Sequence, residues 1–340
     1  MILSYRARCA LKRIATVLMV LLIIAAAAVL IWTLWLGRYV LYTRDGAVLD
    51  YSMSSADLTG TPVQAPEPEE PVSIFYNEGS NAVDVSQELK QLSGYYITGK
   101  ELEEDLDGVY AQLRALPAGT PVMIDVKSIY GNFFYSSTVS GQRNGDLDIQ
   151  AMDELIEWVN STGLYTIARL PALRDFHYGL NNVSDGLPVA AGYLWMDTYG
   201  CYWLNPASEG TVTYLIQIAN ELKHLGFDEV VFYDYYFPAT DKIVFKGDKA
   251  QALTDAAQTL VTACATDSFA VSFTCTGSGI FTPPTGRSRI YLEGISAANV
   301  ELAAQGFEFE NKPVNLVFLT DVQDTRYDAY GVLRPIDDVH

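Results

Sequence analysis

The sequence predicts an α/β fold, a (β/α)8 barrel of the TIM type preceded by a single transmembrane helix and a Pro/Glu-rich stalk. Three observations carry that expectation. Short apolar runs alternate with amphipathic segments along the second part of the chain, and a repeated β-α pattern means a parallel sheet. The stretch 73–340 is near the length of one such barrel, about 250 residues. The segment Thr16–Leu36 is apolar throughout and carries no charge, which is enough to span a bilayer as a helix of about 20 residues.

The N-terminal part divides by composition into a basic tail (1–14), a transmembrane helix (15–36) and a linker or stalk (37–72). Trp32, Trp35, Tyr39 and Tyr42 sit where an interfacial aromatic belt is expected. Arg6, Arg8, Lys12 and Arg13 precede the apolar run and Arg38 and Arg44 follow it. The positive-inside rule then keeps the N-terminus cytoplasmic and places the C-terminal domain outside the cell membrane. A cleaved signal peptide is the competing reading. Its apolar core would be about 7–15 residues with small residues after it, whereas here the alanines lie in the middle of the run, which favours an uncleaved anchor. The run from Thr61 to Pro71 is rich in Pro and Glu, so it is expected to be extended and semi-stiff.

Charge is unevenly spread. The net charge is −19, yet residues 1–44 hold six basic residues and no acid, which leaves 16 basic against 41 acidic residues beyond them. A body of net charge −25 repels nucleic acid, so no nucleic-acid partner is expected. Cys201, Cys264 and Cys275 follow the apolar run. Their spacing fits no metal motif, and three buried free thiols are expected, with a Cys264–Cys275 disulfide as the alternative.

Within the body the strand candidates are Tyr95–Thr98, Val122–Val126, Tyr165–Leu170, Val230–Tyr235, Ala270–Cys275, Ile290–Glu293 and Asn315–Leu319. Between them, apolar residues recur at helical spacing around Leu106, Leu155, Leu215 and Leu260, close to the 3.6-residue period. Ser73–Tyr76 or Tyr327–Val332 supplies the eighth strand. A doubly wound sheet is the rival fold, but it wants a glycine-rich phosphate loop after an early strand, and Gly94 and Gly99 do not make one. Pro238, lacking an N–H, is expected to end the fourth strand. The long connection 171–205 is expected to build part of the active-site face.

Candidate chemistry lies at the C-terminal strand ends, where α/β barrels keep their active sites. Asp125, Asp234 and Glu293 are the candidate catalytic residues, because glycoside hydrolysis needs two carboxyls facing one bond. Asp234 or Asp125 is assigned as nucleophile or base and Glu293 as acid. Lys127, Arg169, Trp195, Trp203, Tyr233, Tyr235 and Tyr236 are the candidate substrate-binding residues, the aromatics as platforms for sugar faces. A structural ion cluster of Lys127, Arg169 and Asp125 stands beside the functional reading. His177, His224 and His340 have no partner at metal spacing. No metal and no cofactor are expected.

Four blocks together resemble a known family. They are Gly94-Tyr-Tyr-Ile-Thr-Gly99, Val122-Met-Ile-Asp-Val-Lys127, Tyr165-Thr-Ile-Ala-Arg169, and the run from Leu194-Trp195 through Trp203-Leu-Asn-Pro206 to Gly226–Pro238. Over about residues 94–240 the chain resembles the glycoside hydrolase domain family of bacterial envelope proteins, a barrel distantly similar to the α-amylases. The resemblance implies a barrel and a polysaccharide or other glycan as partner. Asp125, Lys127, Arg169, Trp203 and Pro206 match the family pattern. The family's aspartates fall here on Tyr233, Thr274 and Asn205, and its fourth-strand arginine on Tyr236. Two functions follow as expectations: hydrolysis of an envelope or extracellular polysaccharide, or a degenerate barrel that binds glycan without cutting it.

Overall fold

The computed structural model describes residues 88–277 and 280–336, and the backbone of 40–43 and 46–49. The chain divides into two units, Met1–Asn81 and Ala82–His340. In the first unit, Val40–Thr43 and Gly46–Leu49 pair as an antiparallel hairpin. A hairpin therefore occupies the start of the segment expected to be stalk. The expected membrane helix, the Pro/Glu run and the Ser73–Tyr76 strand candidate lie outside the described residues. Among the described residues no helix is long and apolar enough to cross a membrane.

In the second unit eight strands, numbered β1–β8, form a closed, all-parallel barrel. They are Ser93–Ile97, Pro121–Asp125, Tyr165–Pro171, Glu229–Tyr233, Ala270–Cys275, Ile290–Glu293, Leu316–Leu319 and Gly331–Pro335. The ring closes where β8 pairs with both β1 and β7. Tyr327–Val332 was the right neighbourhood for the eighth strand, but Tyr327–Ala329 forms a 3-10 turn and the strand starts at Gly331.

The strand period of two separates two cores. Met123, Ile167, Val231, Tyr291, Val317 and Leu333 fill the barrel interior. Val122, Ile124, Ala168, Val230, Phe232 and Phe273 face outward, into the helix layer. The floor of the interior is polar. Buried Glu229 accepts from Tyr165 Oη (2.8 Å), Ser272 Oγ (2.5 Å) and Tyr291 Oη (3.0 Å), and pairs with the Arg289 guanidinium. Arg289 also donates to the Val314 and Lys90 carbonyls, at 3.1 and 2.9 Å.

The helices form where the amphipathic segments predict them. The first segment breaks into α1 (Gly99–Glu104) and α2 (Leu106–Arg114). The break falls at Asp105, whose carboxylate accepts from Gly108 N at 2.9 Å and so caps α2. α3 (Ile149–Ser161) starts at Asp148, which accepts from the amides of Gln150 and Ala151, and buries Met152, Leu155, Ile156 and Val159. α4 (Phe176–Asn181) is a short helix inside the long connection after β3. α5 (Glu209–His224) and α6 (Lys249–Cys264) cover the far side of β4 and β5, and α7 (Val300–Gln305) and α8 (Lys312–Asn315) complete the layer. Cys201, Cys264 and Cys275 are free and buried, as expected.

Candidate active site

Every second residue of a strand faces inward, and at the C-terminal rim that rule selects the chemistry. Two places beyond inward Met123, Ile167, Val231 and Tyr291 stand Asp125, Arg169, Tyr233 and Glu293. The Arg169 fork joins the two acids. Its Nη1 donates to Asp125 Oδ1 at 3.0 Å and its Nη2 to Glu293 Oε1 at 2.8 Å. A single planar guanidinium holds both bonds, so the two carboxyl oxygens are no more than about 8 Å apart. The Arg169 guanidinium also lies over the Tyr233 ring, 4.4 Å from its centre. Burial works against the Arg169 charge, but Asp125 and Glu293 outweigh it and hold the group above its ordinary range.

The two acids differ in freedom. Asp125 uses both oxygens, the second accepting from Gly99 N at 2.9 Å at the start of α1. The Glu293 side chain is 31% exposed against 13% for Asp125.

Asp234 follows the end of β4 at φ +51, the one non-glycine residue in the left-handed region among the described residues. The strand therefore ends at Tyr233, five residues before Pro238. Being outside the strand, Asp234 escapes the alternation that would turn it into the helix layer. It approaches Arg174 instead, Oδ2 to Nη1 at 3.5 Å. Burial pushes the Asp234 carboxyl above its ordinary range; Arg174 opposes that and the charge of Glu293 adds to it.

Arg174 and Asp197 complete this side, and sequence reasoning left them without a role. Arg174 Nη2 meets Asp197 Oδ2 at 2.6 Å, and its guanidinium lies 4.6 Å from the Tyr199 ring centre. Asp197 accepts from Tyr199 N and Cys201 N, both at 2.9 Å, and from Trp203 Nε1 at 3.1 Å. Burial would raise its carboxyl, but these bonds and Arg174 carry it below the ordinary value. The signal was the long connection itself, with its Arg and Asp beside aromatics.

The structure brings Asp125, Arg169, Tyr233, Asp234 and Glu293 to one mouth and removes others from it. Lys127 does not join Asp125. β2 ends at Asp125, and Lys127 bridges to Phe133, sinking its Nζ to 2.6 Å from Asp175 with both side chains 0% exposed. Tyr235 is also out of reach of a mouth ligand. It is buried in the helix layer, where its hydroxyl donates to the Leu253 carbonyl at 2.6 Å. Trp203 is buried, not an open platform, because Trp195, at 6.4 Å, and Tyr236, at 5.0 Å, pack near its ring. Trp195 and Tyr236 remain partly exposed. Asn205 turns back on its own loop, accepting from Ala207 N at 3.0 Å. Among the described residues no group of three His, Cys, Asp or Glu side chains is placed to hold a metal ion.

A parallel barrel with acidic side chains gathered at its C-terminal rim defines a class shared by many enzymes. Residues 94–271, just over half of the chain, match the family described as "Putative glycosyl hydrolase domain", and the chain belongs to that family. No curated protein sequence matches it. Among solved structures it is similar to a hypothetical protein from Ruminiclostridium thermocellum, at 20% identity over 52% of this chain and 96% of the other, with a TM-score of 0.45. It is also similar to an α-galactosidase from Lactobacillus brevis, at 11% identity over 74% of this chain and 38% of that one (TM-score 0.49). A GH20 exo-β-N-acetylglucosaminidase from Vibrio harveyi matches at 10% identity over 72% and 50%, with a TM-score of 0.47. The chain thus spans half or less of either enzyme, and these likenesses carry no argument about its reaction.

Proposed function

We propose that the barrel hydrolyses a glycosidic bond of a polysaccharide at the mouth built on Arg169. The observation that carries this reading is the convergence of Asp125 and Glu293 on one guanidinium beside Asp234. Two carboxyls in different environments are the working parts of glycoside hydrolysis, one raised to serve as acid and one ionised to serve as nucleophile or base. Burial makes Asp234 the proton donor. Glu293, the more exposed partner of Arg169, is the nucleophile or base, which reverses the assignment expected from strand position. Asp125, with both oxygens engaged, orients Arg169. Tyr236, partly exposed, offers its ring to sugar.

The test is release of new reducing ends by the full chain from a panel of cell-wall and soluble polysaccharides. Glu293→Gln and Asp234→Asn are each expected to lower release at least about 100-fold, the scale of general acid–base catalysis. Full activity in Glu293→Gln would remove this assignment.

A second reading is a barrel that binds glycan without cutting it. It draws on Tyr233, which faces the mouth from the position where the resemblance puts an aspartate. Retention of the chain on one polysaccharide, with no release by it, is the outcome that favours this reading.

We also infer that the enzyme works at the outer face of a membrane, anchored by residues 16–36. The uncharged apolar run and the basic residues before it support this placement. Carbonate extraction of membranes, with protease added to intact cells, tests it.

A further inference from the structure

A concavity of about 530 Å³, within the usual size range of small-molecule sites, opens among the loops on the C-terminal side of the barrel. It is lined chiefly by Leu180, Tyr193, Trp195, Met196 and Tyr202, with Lys242 as its charged member. None of the mouth's acids lines it. Two connections on the C-terminal side of the barrel build it, those following β3 and β4. They are tied to each other by the Val189–Ile243 bridge and by Val244 N donating to the Pro188 carbonyl at 2.8 Å. Leu180 is 48% exposed and Tyr193 66%, so apolar surface is left open in a place with a fixed frame.

Trp195 connects this cavity to the acids. It lies 6.4 Å from Trp203, which lies 5.8 Å from the Arg174 guanidinium and 5.0 Å from Tyr236. Arg174 in turn reaches Asp234. Trp195, Trp203 and Arg174 therefore form a continuous wall between the cavity and the proposed proton donor. The cavity's lining is chiefly apolar, with Lys242 and the Tyr193 and Tyr202 side chains as its polar members. Leu180 and Met196 give it aliphatic surface, and the unbranched Met196 adapts to a flexible aliphatic chain.

We propose that this cavity binds an apolar aglycone, the alkyl or acyl chain of an amphipathic glycoside whose sugar lies in the mouth. The proposal rests on the hydrolase reading and narrows its substrate class to saccharides carrying an aliphatic chain.

The test uses the full chain with methyl, butyl, hexyl and octyl β-D-glucosides and α-D-galactosides below their micellar concentrations. Dissociation constants come from calorimetry, and free sugar is assayed in parallel. Affinity is expected to rise about two- to fourfold per added methylene, as burial of a CH2 group predicts. Leu180→Asn and Met196→Asn, both at exposed positions, are expected to flatten that rise. Wild-type affinity independent of chain length overturns the proposal, and so does an unchanged rise in both variants. A rise without sugar release supports the cavity assignment and counts against hydrolysis. Release without a rise does the reverse.

Discussion

Asp234 shows what a single residue contributes. A non-glycine side chain in the left-handed region costs of order 1–3 kcal/mol and persists where its surroundings over-determine it. Here the strand before it and Arg174 beside it do so. Its raised carboxyl gives two expected pH dependences with one sign. As an acid it acts only when protonated, so release of reducing ends falls as pH rises through its raised value. The folded state also keeps the proton at pH values where the unfolded chain has lost it. Stability from this group therefore falls as pH rises between the ordinary carboxyl value and the raised one. Melting temperature measured against pH checks this, and Asp234→Asn is expected to remove that part of the slope. Asp125, Arg169 and Glu293 were legible in the sequence because each lies within or at the end of a strand, where the period of two decides direction. Lys127 and Tyr235 were not. Each lies just past a strand end, where that period no longer applies.

At the scale of elements, apolar runs marked seven strands well because a parallel strand covered on both faces reads as continuous hydrophobic sequence. The eighth was ambiguous. Gly331–Pro335 carries only two aliphatic side chains, Val332 and Leu333, and ends in a proline. The first helical segment read as one piece because Asp105 looks like any polar surface residue until its capping bond is seen. The connection after β3 was recognised as part of the mouth, but its anchor was not. Asp175 holds that connection by accepting from Tyr178 N and Tyr214 Oη and by pairing with Lys127. Asp175→Ala leaves Lys127 buried and uncompensated, with an expected loss of about 3–5 kcal/mol. Joint replacement, Lys127→Met with Asp175→Leu, is expected to recover much of that loss. Urea denaturation of the two variants checks both outcomes.

For the molecule as a whole, the barrel gathers Asp125, Arg169 and Glu293 at one end and is sealed at the other. Glu229, Arg289, Tyr165, Ser272 and Tyr291 form the seal, and nothing in the sequence marked it, because Glu229 opens an apolar strand and reads as a solvated end. Glu229→Ala strands the Arg289 charge in a buried site. It is expected to lower global stability by about 3–5 kcal/mol, visible as a drop in the denaturation midpoint. The seal and the packed interior above it leave no passage through the barrel. In the hydrolase reading a polymer therefore lies across the rim with both of its ends in solvent. The leaving saccharide and the attacking water then both use the rim side alone.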